Sequence, residues 1–123
     1  MLVLSDLQGL WGRLWRATRY SLQGLWAACR YEQAFRLELI TASIAVPAGL
    51  WLGHTGSQRA LLIGSWVLVL IVELLNSAIE ATVDRMGSEA HELAGRAKDL
   101  GSAAVFLAIA LALVVWGVVV FGS

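Results

Sequence analysis

The sequence predicts an all-α integral membrane protein, with an N-terminal amphipathic surface helix followed by three transmembrane helices. Three observations carry that prediction. Of the 123 residues, 59% are hydrophobic, more than an ordinary soluble domain of this length holds. Most of them gather in three apolar stretches, about residues 34–52, 60–83 and 100–121. Each stretch is long enough to cross a hydrocarbon core of about 30 Å as a helix. The first part of the chain has instead a one-sided helical stripe. The organisation is therefore an amphipathic helix over 1–33 and a three-helix transmembrane domain over 34–123. Formal net charge is zero, so the distribution of charge says more than its sum. The single Cys29 excludes an internal disulfide and a multi-cysteine metal site. No leader with a cleavage site is expected.

The surface helix runs from about Ser5 to Tyr31. Trp11, Leu14, Trp15, Thr18, Leu22, Leu25, Trp26 and Cys29 follow helical spacing along one face, while Arg13, Arg16, Arg19, Gln23 and Arg30 lie largely off it. A basic helix with tryptophans on its apolar side lies in the membrane surface rather than across it. Its arginines meet anionic headgroups, or the phosphates of a bound ligand.

Glu32 marks the junction with the first span. Arg36 and Glu38 stand near that span's beginning, two residues apart and so on different faces. Arg36 can snorkel to the interface. Glu38 lies deeper and needs a partner or a wet cavity. Pro47 is placed to bend the helix, and Trp51 suits the far interface. Gly53 to Arg59 form a short turn, in which His54 reads as a solvated loop residue.

The second span holds the polar face around which the chain is organised. Glu73, Asn76 and Glu80 stand at offsets of zero, three and seven, which places them on one helical face, and Asp84 extends it. Counted from Ala60 at about 1.5 Å per residue, Glu73 lies roughly 20 Å along the helix, inside the lipid. An ionisable group there is expensive and marks a functional site. Polar residues also join membrane helices through hydrogen bonds, and a lone Asn76 would read that way. Two glutamates and an asparagine running into Asp84 are more acid than such a joint needs.

Asp84 to Lys98 is the most charge-dense stretch, read as a polar connection that Asp99 closes. The third span carries no charge and starts with small residues, Gly101, Ser102, Ala103 and Ala104, which let helices approach closely. Basic residues cluster before the first span and between the second and third. The N-terminus and the charged connection are therefore expected in the cytoplasm, and the C-terminus outside. Glu32, Glu80 and Asp84 then meet at the cytoplasmic boundary, with Glu73 slightly deeper.

No P-loop, dinucleotide fingerprint, zincin helix or serine elbow is present. What remains is carboxylates with a lysine and several arginines at a membrane surface. Carboxylate oxygens suit Mg²⁺, which takes one or two of them and fills its shell with water and phosphate oxygens. That set matches phosphoryl transfer. A proton-coupled transporter explains Glu73 nearly as well, but the charged connection and the second glutamate less well.

The segments Glu73-Leu-Leu-Asn-Ser-Ala-Ile-Glu80-Ala-Thr-Val-Asp84-Arg and Gly87-Ser-Glu-Ala-His-Glu-Leu-Ala-Gly-Arg-Ala-Lys98-Asp99-Leu-Gly-Ser-Ala-Ala closely resemble the prokaryotic diacylglycerol kinase family. So do Glu32-Gln-Ala-Phe-Arg-Leu-Glu38 and the helix layout. The resemblance covers nearly the whole chain. It implies a homotrimer, with sites shared between subunits, that makes phosphatidic acid from diacylglycerol and MgATP in the bacterial inner membrane. No nucleic-acid partner is expected. Position by position, Glu73 resembles the family's general base, with Asn76 orienting it or the substrate. Glu32 and Glu80 match the acids that hold Mg²⁺ on ATP. Lys98 and Asp99 match the pair contacting phosphate and nucleotide, and Glu89, Ala90 and His91 fall where the family's loop meets the nucleotide. Arg13 and Tyr20 match positions of the surface helix that contact ATP. Glu38 and Ser102, with Glu73, fall where the family meets its lipid. The surface helix departs from the pattern at Thr18-Arg19, where small residues are expected, and at Leu22-Gln23, where an aromatic and a lysine are. Related small kinases act on undecaprenol, which offers the same hydroxyl. The extended surface helix favours diacylglycerol.

Overall fold

The computed structural model describes residues 3–86 and 91–122. Every element among them is a helix, and the chain divides into two units, 1–32 and 33–123.

The first unit is one helix, α1, Leu4–Tyr31. The Asp6 carboxylate accepts the Val3 backbone N–H at 3.2 Å, satisfying a donor that the helix start would leave open. The helix stops where Glu32 turns extended, its N–H still bonded to the Ala28 carbonyl at 3.0 Å. Near that end Trp26 and Tyr31 meet edge to face, with centroids 6.2 Å apart. Trp11, Trp15 and Trp26 are exposed, as an apolar side made for lipid requires.

The second unit holds α2 (Gln33–Leu52), α3 (Gly56–Arg85) and α4 (Glu92–Phe121), each long and apolar enough to cross a membrane. The central helix is α3, which packs against both of the others. Its fully buried side chains, Leu62 and Val69, stand seven residues apart with Asn76 seven further on. Two turns of helix repeat nearly every seven residues, so these three form one seam. Ala108 and Ala112 of α4 pack on Val69. Small residues make the approach possible. A Cβ on Gly49 would stand 3.2 Å from Leu62 Cβ, so α2 and α3 nearly touch there. Without a hydrophobic drive between helices in lipid, such close packing supplies the association. A further tie is the Trp116 indole N–H, donated to the Leu62 carbonyl at 3.0 Å. Pro47 lies inside α2 without ending it.

The turn between α2 and α3 is tight. Thr55 caps α3 by accepting the Gln58 N–H at 3.1 Å, and Gln58 returns its Oε1 to the His54 N–H at 2.8 Å. Arg59 Nε donates to the Leu50 carbonyl at 3.1 Å. Gly53 fits beneath Arg59, where a Cβ would come within 2.6 Å of its side chain.

Two elements run further than the apolar stretches do. α3 occupies 56–85 rather than 60–83, and α4 starts at Glu92, so much of the expected polar connection is helical. Local chemistry gives the reason. His91 Nδ1 accepts the Leu93 N–H at 3.0 Å as an N-cap, and the acidic Glu92 suits the positive end of the helix dipole. Glu92 also faces Arg96 one turn on, at 3.6 Å.

Candidate active site

Thirty residues of α3 span about 45 Å, more than the hydrocarbon core, so one helix carries both buried and exposed polar groups. Glu73 and Asn76 are among the few buried polar side chains described, 6% and 9% exposed. One turn on, Glu80 is half-buried and accepts a hydrogen bond from Asn76 Nδ2 at 3.4 Å. The seven-residue run of Glu73, Asn76 and Glu80 thus forms a continuous face, as its spacing predicts.

The neighbouring helices complete this face. From α2, Glu38 lies near enough to Glu73 for the two carboxyl groups to interact electrostatically. Glu38 was expected to need a partner or a wet cavity, and what stands near it is another acid. Its Oε2 and Asn76 Oδ1 are buried without a hydrogen-bond partner among the described residues. From α4, Gly101 presses its backbone against Asn76, so that any Cβ there would collide with the Asn76 Oδ1. The Trp66 indole N–H donates to the Glu38 carbonyl at 3.1 Å and joins α3 to α2 just below the carboxylates.

At the outer end of the same face, Lys98 Nζ bonds Asp84 Oδ1 at 3.1 Å, so α4 brings its lysine to the last acid of α3. Asp99 and Ser102 are exposed on α4. His91 uses Nδ1 as a helix cap, which leaves Nε2 as the nitrogen for other contacts. Glu89 and Ala90 lie outside the described residues. Arg13 and Tyr20 are exposed on α1, and Glu32 is half-buried at its end. These three belong to the first unit.

Sequence reasoning did not find Trp66 or the Asp84–Lys98 pair. It noted Gly101 only as a small residue. Trp66 sits in an apolar run and gives no signal of its own.

Three membrane-length helices, with Glu73 and Asn76 buried among them and Glu38 and Glu80 half-buried beside them, define a class, an α-helical integral membrane protein with a polar face inside its helix packing. The model of the prokaryotic diacylglycerol kinase family matches residues 19–120. This chain belongs to the prokaryotic diacylglycerol kinase family. It is 55% identical over 104 residues to a diacylglycerol kinase of Escherichia coli (strain K12), an alignment covering 85% of each chain. To the diacylglycerol kinase of Haemophilus influenzae it is 51% identical over 105 residues, 85% of this chain and 89% of that one. To that of Pseudomonas aeruginosa it is 47% identical over 110 residues, 89% of each.

Proposed function

We propose that this protein is an ATP-dependent lipid kinase that phosphorylates the primary hydroxyl of diacylglycerol to phosphatidic acid. One observation of the structure supports this most: the buried Glu73, with Glu38 Oε2 and Asn76 Oδ1 near it as acceptors that lack partners among the described residues. A lipid hydroxyl is a donor that such acceptors suit, and it reaches them from within the bilayer.

The Glu73 carboxylate takes the hydroxyl proton. The hydroxyl oxygen forms a bond to the γ-phosphorus of ATP, the bond from that phosphorus to the β,γ-bridging oxygen breaks, and ADP leaves with the electron pair. General-base assistance of this kind is worth about 10²–10⁴-fold. Asn76, tied to Glu80, holds the face between the proton acceptor and the nucleotide end. Glu38 and Ser102 contact the lipid. Lys98 exchanges Asp84 for a phosphate oxygen, an exchange made easy by the exposure of that pair. Asp99, His91 Nε2, Glu89, Ala90, Arg13 and Tyr20 complete the contacts to ATP.

The donor set fits Mg²⁺ carried on ATP. Among the described residues no three His, Cys, Asp or Glu side chains form a metal cluster, and Mg²⁺ needs only one or two carboxylates when phosphates and water supply the rest. Glu80 and Glu32 are the carboxylates assigned to it. When bound, it neutralises charge on the transferring phosphoryl group. The working form is a homotrimer in the bacterial inner membrane, with the N-terminus and the α3–α4 connection in the cytoplasm. The excess of basic residues at those two places supports the orientation.

The test is transfer of label from radiolabelled ATP by purified protein in mixed micelles, with diacylglycerol and undecaprenol in parallel, with and without Mg²⁺. The proposal expects Mg²⁺-dependent label on diacylglycerol. Label mainly on undecaprenol would overturn the substrate, and no label from folded protein would overturn the activity.

A further inference from the structure

Trp66 has no part in the proposed chemistry, yet its polar atom is spent on the site. Its indole N–H reaches 3.1 Å to the main-chain oxygen of Glu38, a residue 28 positions away on another helix. It stands seven residues before Glu73, which is itself seven before Glu80, so one stripe of α3 carries all three. A helical carbonyl has a second lone pair, so the bond adds to the α2 ladder without breaking it. The Glu38 Oε2 is buried with no hydrogen-bond partner among the described residues. The place of that carboxyl must therefore be imposed through the backbone of α2, and Trp66 grips the backbone at Glu38 itself.

We propose that Trp66 is a positioning residue for Glu38: its N–H fixes the depth and facing of Glu38 against Glu73, and thereby the affinity for the lipid alcohol. This rests on the lipid-kinase reading above. The indole ring has a separate task. It lines an apolar groove with Thr41, Ala45 and Ala48 of α2 and Trp116 of α4. Trp66→Phe keeps an aromatic in that groove and removes only the donor.

The experiment is steady-state kinetics of the full-length protein in mixed micelles with MgATP and diacylglycerol, for wild type, Trp66→Phe, Glu38→Gln and the double variant. Thermal melts are run beside it. Trp66→Phe should raise the KM for the lipid about three- to tenfold, the size of one intramembrane hydrogen bond, and leave the KM for ATP unchanged. The same substitution in the Glu38→Gln background should add little, because the group it positions is already altered. Where turnover of that background is too slow, calorimetric binding of a short-chain diacylglycerol gives the same cycle. An unchanged lipid KM, an equal factor in both backgrounds, or a loss confined to the melt would overturn the inference. Wild-type protein that labels no diacylglycerol would remove the kinase reading and this inference with it. Active wild type with an unmoved variant would remove the inference alone.

Discussion

The polar face of α3 has two ends, and they are built on different terms. Within the bilayer, Glu73 and Asn76 are 6% and 9% exposed, and the backbone of Gly101 fills the space beside the Asn76 amide. At the outer end, the side chains of Asp84 and Lys98 keep 66% and 44% of their exposure while forming an ion pair. A buried polar group has no water to turn to, so its geometry is fixed by whatever packs on it. An exposed pair competes with solvent and is worth about 0–1 kcal/mol. Rigidity thus lies at the proposed site of proton transfer, and looseness at the proposed nucleotide end.

The strongest way to break this comparison is at Glu73. Glu73→Gln keeps the shape and removes the proposed proton acceptor, so turnover should fall by about 10²–10⁴-fold while the detergent-solubilised protein keeps its elution volume. Retention of most of the rate would show that the buried end is only structural. Glu80 stands between the two ends. Glu80→Gln should raise the Mg²⁺ concentration needed for half-maximal rate by roughly tenfold, the loss expected for one support of a metal site. A flat Mg²⁺ dependence would remove Glu80 from that role.

Two substitutions sharpen the packing side. Gly101→Ala adds one methyl against the Asn76 Oδ1, and overfilling a packed site costs about 1–3 kcal/mol. Its unfolding in a denaturing detergent titration should show that loss, together with lowered activity as Asn76 is displaced from Glu80. Asp84→Asn is the weakest perturbation. It should change the same unfolding free energy by less than about 1 kcal/mol, because the ion pair is exposed. A loss as large as that of Gly101→Ala would mean that the outer end is as tightly held as the inner one.

Much of this could be read along the chain. Apolar runs located the three spans, and the one-sided stripe of tryptophans located α1. The offsets of Glu73, Asn76 and Glu80 placed them on one face, since residues three, four and seven apart in a helix are neighbours whatever surrounds them. The start of α4 was harder to see. Glu92 to Lys98 is polar, and hydropathy does not distinguish a polar helix from a polar connection. The cap by His91 decides it, and a single hydrogen bond leaves no periodic trace.

What the sequence alone determined is therefore what is local: the class of structure, the number of spans and the face that carries the acid. Glu38 beside Glu73, Trp66 on the Glu38 carbonyl, Gly101 against Asn76 and Lys98 on Asp84 were decided by the tertiary structure. In each pair the partners sit on different helices, 14 to 35 positions apart. Hydrophobic spacing says that a helix has a side, but not which residue of another helix will lie against it. That is set by how closely the backbones pack, and here small residues such as Gly49, Gly101, Ala108 and Ala112 allow the approach.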